Sequence, residues 1–341
     1  LTAEGRLPLN SDQIWFINSN VDIISEYRLY FEKVFGYKPT LNEYKPNTYD
    51  ILAYSHPIRV LLEKLGMGVN GTINKKINNL FLSHSTEEEL AAFMNGLYSG
   101  DGYVSNRSIE IITKSKELAE GIENILLRLG ILFNSVYKVK VATNTGFSGL
   151  YKQINITGVD NIKIFYKKIR LTHKEKQKRI EDIIQKKSNP NLDLIDVNKL
   201  IKSVSKDLNL NIKKLKKEFP RLDSYVYNQC TPSRHGIQYL IHELFEKNSL
   251  ASNSLSLNAL KLITYSDIYW DEIIELEKVK SDYEYVYDLS VQDDHNFIAN
   301  NFIVHNSNVC DALCFVLGKT SAKSLRAEKS VNLIYNGGKT R

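Results

Sequence analysis

Two acidic residues in this sequence are each followed by a lysine at nearly the same distance. Lys75 follows Glu4 by 71 residues and Lys176 follows Asp101 by 75, and a glycine comes directly after each acid. Carboxylate oxygens bind Mg²⁺ and leave positions open for water and phosphate. Two such ions stabilise the attacking and leaving oxygens of a phosphodiester, and a nearby lysine polarises the water or the phosphate. The pattern therefore indicates metal-assisted phosphodiester cleavage.

A second chemical pattern is the triplet His305-Asn306-Ser307. An asparagine amide can attack its own carbonyl, which forms a succinimide and breaks the peptide bond to the next residue. The adjacent histidine can protonate the leaving nitrogen or stabilise the oxyanion. The Ser307 hydroxyl can first accept an acyl group from upstream, which gives a branched ester. Three residues are too short a pattern to establish this chemistry without their surroundings.

The elements that must position the two acids occur twice in the same order. Each acid is followed by strands, an amphipathic helix that ends at a glycine, a strand pair and a further helix. The predicted helices lie at residues 21–35, 56–65, 116–129 and 160–169, and the second strand pair is a hairpin over 131–157. A run of 90–97 forms the helix before Asp101. The repeated order predicts an α+β fold of two pseudo-symmetric αββαββα repeats. Small residues at Ala3, Gly96 and Gly100 would let two motif helices approach, so that the acids meet near a pseudo-two-fold axis.

Residues 1–187 resemble a LAGLIDADG homing endonuclease of the kind nested in inteins. Residues 94–102 align with the nine-residue motif of that family, and residues 1–5 align with its last five positions. We therefore expect the first motif helix to be truncated and the chain to be a fragment that is inactive or weak. Residues 74–78 and 169–180 resemble the lysine blocks of the two halves, with Asn78 where proline is usual.

This resemblance implies roles for the residues of the first pattern. Glu4 and Asp101 would be catalytic metal ligands for Mg²⁺, and Lys75 and Lys176 would be catalytic lysines. Both lysines lie in lysine-rich stretches, so that Lys76 and Lys174 are alternatives. The implied partner is double-stranded DNA, and the endonuclease domain is expected to be monomeric.

Residues 188–266 form a basic, helical region after a polar linker. Between residues 161 and 219 there are 17 lysines and arginines against 7 acidic residues. Helices are predicted over 197–208, 212–219 and 231–246, the last with Thr231 as N-cap and Pro232 at its first position. This indicates an accessory DNA-binding module of helix-turn-helix type, and the alternative is a small packing subdomain with a solvated face. Cys230 and His235 are too few ligands for a metal site.

Short β-rich runs follow at 270–279, 285–291, 297–299 and 302–304. Residues 286–299 resemble the penultimate block of inteins, and residues 301–307 resemble an intein C-terminus. By that resemblance Asp288 and His295 assist the cyclisation of Asn306, and 267–306 is the C-terminal splicing segment, with the β-strands of a Hint domain. No upstream nucleophile or TxxH block is recognisable, so we expect the first splicing half to be missing.

Residues 307–341 resemble an SMC (structural maintenance of chromosomes) ATPase just after its P-loop. Ser307 would then be the serine that binds Mg-ATP after splicing, in a host protein that self-associates as an SMC dimer. The composition, 43% hydrophobic and 25% charged over 341 residues, excludes a disordered chain, and no apolar run reaches the ~18 residues of a membrane span. Three cysteines without a CxxC pair fit a reducing cytoplasm. The resemblance to an SMC ATPase implies that the host protein is associated with the nucleoid.

Two other functions fit the same sequence. One is a non-catalytic DNA-binding intein remnant in which Glu4 and Asp101 no longer support cleavage. The other assigns to the whole chain the function of its host protein, a chromosome-partition ATPase. Metal-dependent nicking would separate the endonuclease from the remnant.

Overall fold

The computed structural model describes residues 2–67, 74–141, 148–186, 193–271, 273, 275–277, 291, 296–299 and 301–305. The chain divides into two compact units, residues 1–272 and 273–341, and each is described by itself. Within the described residues, no helix is long and apolar enough to cross a membrane.

The first half of the predicted repeat forms a four-stranded antiparallel sheet and two helices. These are β1 (Gly5–Arg6), β2 (Gln13–Asn18), α1 (Val21–Phe35), β3 (Thr40–Lys45), β4 (Thr48–Tyr54) and α2 (His56–Lys64), in the sheet order β1-β2-β4-β3. Helix α1 begins where the Asn20 side chain accepts a hydrogen bond from the Ile23 amide, and it ends at Gly36 with a φ of 62°. The predicted bounds of α1 are confirmed.

The second half repeats these six elements in the same order and has further helices before and after them. They are α3 (Asn79–His84), α4 (Glu87–Gly100), β5 (Tyr103–Val104), β6 (Ser108–Thr113), α5 (Lys116–Arg128), β7 (Asn134–Val141), β8 (Ser148–Thr157), α6 (Val159–Lys168) and α7 (Lys174–Ile184). The strand order β5-β6-β8-β7 matches that of the first sheet. The α+β fold and its internal repeat are therefore confirmed. Helices α3 and α7 were not predicted from the sequence.

Burial alternates along the central strands, so that each sheet has one face in the core. Ile14 and Phe16 on β2 and Ile109 and Ile111 on β6 are at most 4% exposed. The largest apolar cluster joins these second-half strands to helices α4, α5, α6 and α7, and it includes Ile77 from the segment before α3. Burial of these side chains is the main favourable term that holds the helices against one face of the sheet.

The region after residue 193 is helical and has a core of its own. Its helices are α8 (Asn198–Asp207), α9 (Ile212–Leu215), α10 (Leu222–Val226), α11 (Arg234–Leu240), continued by a π-helical turn over Ile241–Phe245, and α12 (Leu255–Thr264). The prediction of Thr231 as a helix N-cap was wrong. Ser233 is the cap, and its hydroxyl accepts a hydrogen bond from the Gly236 amide at 3.2 Å. The predicted second helix is shorter than expected, and α10 and α12 were missed.

In the second unit, β9 (Asn296–Ala299) pairs antiparallel with β10 (Phe302–His305). Asn301, with a φ of 68°, lies in the turn between them. This confirms the predicted runs at 297–299 and 302–304. The predicted strand over 270–279 was wrong for its described residues, which have no regular structure. The run at 285–291 lies outside the described residues except for Val291, and so does the tip of the β7–β8 hairpin.

Candidate functional site

The ends of the two motifs lie against each other. Asp101 directly follows the last residue of α4, and its amide donates to the Leu97 carbonyl at 2.9 Å. A Cβ atom placed on Gly100 would lie 2.6 Å from the Ala3 Cβ and 3.5 Å from the Glu4 Cγ. A side chain at position 100 would therefore clash with the first motif. The glycine permits an approach that brings Glu4 and Asp101 to the same site.

The two carboxylates share an environment that disfavours negative charge. Burial raises the pKa of Glu4, a hydrogen bond from the Asn18 amide group opposes that shift, and the charge of Asp101 raises the pKa further. Burial also raises the pKa of Asp101, against the opposing charges of Lys75 and Lys176. Taken over all its atoms, Asp101 is nevertheless exposed to solvent, so that a ligand can reach it. Two acids in this arrangement favour a bound cation.

Each acid has one lysine held by an equivalent contact. The Lys75 ammonium donates to the Ala3 carbonyl at 2.7 Å, and the Lys176 ammonium donates to the Gly100 carbonyl at 2.8 Å. Ala3 and Gly100 are the residues that directly precede the two acids. Lys176 also donates to the carbonyls of Ser99 at 2.6 Å and Tyr98 at 3.3 Å. It thereby pairs three carbonyls at the negative end of α4.

Burial lowers the pKa of both lysines, while the charges of Glu4 and Asp101 raise it. The alternative lysines lie elsewhere. Lys76 is exposed and forms an ion pair with Glu117 at 3.7 Å, and Lys174 is exposed and pairs with Asp22 at 2.7 Å. The structure therefore brings Lys75 and Lys176 to the acids and does not bring Lys76 or Lys174.

Two positioning contacts were not found from the sequence. Asn18, at the end of β2, donates to the Glu4 carboxylate. Asn95 on α4 accepts hydrogen bonds from the amide of Thr172 at 2.9 Å and from its hydroxyl at 3.1 Å. This second contact holds the start of α7 against α4 and so fixes the reach of Lys176. The sequence signal for them was one asparagine at the end of a largely apolar strand and another inside a helix.

The residues present fit a hard divalent cation such as Mg²⁺. Both acids supply oxygen ligands, which Mg²⁺ prefers, and a cation would relieve the repulsion that raises the pKa of Glu4. Among the described residues, no group of three or more histidine, cysteine or acidic side chains could hold a metal ion. Water and a bound phosphate would supply further ligands.

The stability of the metal-free protein should decrease as the pH rises through the raised pKa values of Glu4 and Asp101. The folded state disfavours the ionised form of both acids, and this lowers the free energy of unfolding wherever they are ionised. The loss of stability is absent below the ordinary pKa values of the two acids and complete above their raised pKa values. Thermal unfolding between about pH 4 and pH 8 measures this effect. The dependence should be weaker in Asp101→Asn. An equal dependence in the variant would show that Asp101 does not contribute to it.

Lys176→Met should destabilise the protein by about 1–3 kcal/mol, because hydrogen bonds from a charged donor to three carbonyls are lost. Lys174→Met is the matched control, since it removes an exposed lysine of the same helix with a single surface ion pair. Such pairs contribute about 0–1 kcal/mol. Urea unfolding of the two variants makes the comparison. Equal losses would contradict a positioning role for Lys176.

The predicted splicing residues cannot be placed in the same way. Asp288, His295, Asn306 and Ser307 lie outside the described residues, and His305 is described only as the last residue of β10.

Comparison with known families matches residues 88–170 to the LAGLIDADG-like domain. This segment contains α4, Asp101 and the second sheet.

Curated proteins with unrelated names match most of this chain. A glutamine–fructose-6-phosphate aminotransferase of Methanocaldococcus jannaschii is 27% identical over 321 residues, which cover 91% of this chain and 27% of that protein. A replication factor C small subunit of the same organism is 27% identical over 278 residues, with coverage of 81% and 14%. A replicative DNA helicase DnaB of Synechocystis sp. is 28% identical over 274 residues, with coverage of 75% and 29%. The chain thus spans less than a third of the length of these relatives.

Among solved structures, a mesophilic variant of the homing endonuclease I-DmoI aligns with a TM-score of 0.35 and 15% identity, over 46% of this chain and 79% of that one. The homing endonuclease I-WcaI bound to its DNA recognition sequence aligns with a TM-score of 0.33 and 17% identity, over 49% of this chain and 76% of that one.

Proposed function

We propose that this chain belongs to an intein-encoded LAGLIDADG homing endonuclease that makes metal-dependent double-strand cuts in the intein-free host gene. The observation that carries the proposal is the pair of acids. Glu4 and Asp101 end two copies of one motif, come together through the Ala3–Gly100 contact, and each has a lysine bound to the carbonyl that precedes it. The match of residues 88–170 to the LAGLIDADG-like domain supports the same function.

Glu4 and Asp101 would hold Mg²⁺ and provide its protein ligands. When bound, the metal would activate a water and stabilise the charge that develops on the phosphate. Asn18 orients the Glu4 carboxylate, and Lys176 fixes the end of α4 and hence the position of Asp101. The ammonium groups of Lys75 and Lys176 add positive charge beside the acids, which favours the approach of a phosphate.

Double-stranded DNA would lie on the sheet faces that point away from the core. In each sheet these faces carry the side chains that alternate with the buried ones. The helical region adds an accessory contact, because Lys213, Lys214 and Lys217 are exposed on and beside α9. We infer that residues 1–187 cut the DNA as a monomer and that residues 188–266 extend the contact.

The relatives support an insertion. The matches are to an aminotransferase, a replication factor subunit and a helicase. Each match covers most of this chain but only a small part of the relative. A mobile element within unrelated hosts gives this pattern. Residues 267–306 would then be the C-terminal half of a protein-splicing element, with Asp288, His295, His305 and Asn306 in the cyclisation step and Ser307 as the acyl acceptor.

The host would be a cytoplasmic, nucleoid-associated SMC ATPase whose sequence resumes at Ser307. After splicing, this serine would contribute to Mg-ATP binding in a host protein that dimerises. The assignment rests on the resemblance of residues 307–341, so the upstream host sequence tests it directly.

The endonuclease function is tested with this chain preceded by a helix that completes the first motif, here called the completed protein. Linear DNA that carries the uninterrupted host gene should be cut in both strands near the P-loop codons when Mg²⁺ is present. The gene with the insertion should remain intact, and chelation of the metal should stop the reaction. Binding to the uninterrupted site without any cutting would instead support the non-catalytic remnant.

A further inference from the structure

Lys75 is held at the site without the support of a helix. Lys176 lies in α7, whereas Lys75 lies before α3 in a stretch without regular structure. Lys75 is nevertheless only 6% exposed, and its ammonium reaches the Ala3 carbonyl. A segment outside helices and strands has no regular backbone hydrogen bonds to fix it, so its backbone groups need other partners. The position of Lys75 therefore depends on contacts made by its own peptide groups.

Ser115 provides such a contact from the other half of the repeat. It is the N-cap of α5, and its hydroxyl accepts a hydrogen bond from the Leu118 amide at 3.1 Å. The same hydroxyl donates to the Lys75 carbonyl. Ser115 is only 2% exposed, so this hydrogen bond lies away from solvent. One buried hydroxyl thus joins the start of α5 to the backbone of Lys75.

The peptide group between Lys75 and Lys76 is held on both sides. Its N–H donates to the Gly66 carbonyl at 3.0 Å, and its C=O accepts from the Ser115 hydroxyl. Gly66 follows α2 in the first half, and Ser115 precedes α5 in the second half. Removal of the hydroxyl would leave this peptide group held from the first half alone and its buried carbonyl without that donor. The orientation of Lys75 relative to the second half would then no longer be fixed.

A reciprocal contact exists beside the other lysine. Asp22, in the first turn of α1, accepts a hydrogen bond at 2.7 Å from the ammonium of Lys174, two residues before Lys176. The start of the first long helix of each half therefore contacts the lysine segment of the opposite half. The Lys174 side chain is 81% exposed, however, and Lys176 is already oriented by α7 and by three carbonyls. The buried contact of Ser115 is thus the one on which the position of a lysine depends.

We propose that Ser115 is a positioning residue for Lys75 and thereby sets the rate at which one of the two DNA strands is cut. The proposal rests on the proposed endonuclease function. Lys75 and Lys176 donate to the residues that precede different acids, so each belongs to one of two equivalent halves of the site. The strands of a duplex are related by two-fold axes, and equivalent halves of the site would therefore face different strands. A displaced Lys75 would slow the cutting of one strand and leave Lys176 and the other strand almost unaffected.

The test is single-turnover cleavage of the uninterrupted host site by the completed protein, with a different fluorophore on each DNA strand. Ser115→Ala and Ser115→Gly should each slow one strand at least about tenfold, because a misplacement of about 1 Å can cost roughly 10²-fold in rate. Nicked DNA should therefore accumulate. The rate for the other strand should remain close to the wild-type rate. DNA affinity, measured without Mg²⁺ so that no DNA is cut, should also be unchanged.

Two comparisons separate positioning from helix capping. Glycine is nearly as good an N-cap as serine, whereas alanine is a poor one, so Ser115→Gly removes the donor with little loss of the cap. Ser254→Ala is the matched control. Ser254 is 3% exposed, caps α12 by accepting from the Leu257 amide at 3.1 Å, and donates to Asp207 at 2.9 Å. This variant loses an equally buried cap far along the chain from Lys75 and should cut both strands at the wild-type rates.

Equal slowing of both strands, or a defect of Ser115→Ala that is absent from Ser115→Gly, would show that Ser115 acts only as a helix cap and would overturn the proposal. Unchanged rates for both strands in the two variants, or the same strand difference in Ser254→Ala, would overturn it as well. If the wild-type completed protein cuts neither strand, the proposed endonuclease function fails instead.

Discussion

Asp101→Asn should abolish DNA cleavage by the completed protein, with a loss of at least about 10³-fold in rate. The substitution keeps the shape of the side chain but removes one negative charge from the two acids that we propose as metal ligands at the end of α4. A metal ion that stabilises the charge developing in phosphodiester hydrolysis contributes several kcal/mol, and about 1.4 kcal/mol corresponds to a tenfold change in rate. Single-turnover cleavage of the uninterrupted host site measures the effect.

DNA affinity should be almost unchanged in this variant, because phosphate contacts by cationic groups supply most of the binding energy. Glu88→Gln is the matched control, since it neutralises an exposed acid in the first turn of the same helix, far from the site. It should cut at the wild-type rate. Unchanged cleavage by Asp101→Asn would show that the metal site has been assigned to the wrong carboxylate.

Asn306→Ala should eliminate release of the segment that begins at Ser307. The asparagine side chain is the nucleophile of the proposed cyclisation, and alanine has no group that can replace it. A chain without the first splicing half should give only trace release, because misalignment of the scissile carbonyl would cost orders of magnitude in rate. Supplying that half should make the release efficient.

His305→Ala should slow this release without abolishing it, since general acid catalysis contributes roughly 10²–10⁴-fold. Mass spectrometry of the released peptide is the measurement, and a product beginning at Ser307 is expected. If that product persists in Asn306→Ala, a contaminating protease and not the asparagine has made the cut.

Local signals were sufficient to predict most of the repeat. Helix α1 has an asparagine N-cap and a glycine at its end, and the alternation of β2 identifies its core face. Helix α11 shows the limit of such signals. Thr231 and Ser233 are both good N-caps, and the choice depends on tertiary contacts. The Pro232 carbonyl accepts a hydrogen bond from the Ile195 amide, which holds this stretch extended until Ser233.

The candidate site was predicted in its residues but not in its contacts. Adjacent lysines cannot be distinguished by spacing alone. Ile77 is buried against α5, so closely that a Cβ atom placed on Gly121 would lie 2.9 Å from Ile77 Cδ1. Burial of Ile77 turns Lys75 inward and Lys76 outward. That choice depends on packing between the two halves of the repeat. The contact of Asn18 with Glu4 likewise joins residues that only the folded sheet brings together.

The metal site itself is tested most directly by anomalous scattering from Mn²⁺ in crystals of the completed protein with its target DNA. Mn²⁺ takes the same hard oxygen ligands as Mg²⁺ and can be located without assumptions about the fold. We expect anomalous peaks in direct coordination with the carboxylates of Glu4 and Asp101 and with phosphate oxygens of the DNA. Peaks confined to other carboxylates, or occupied sites that persist in the Glu4→Gln, Asp101→Asn double variant, would contradict the proposed metal site.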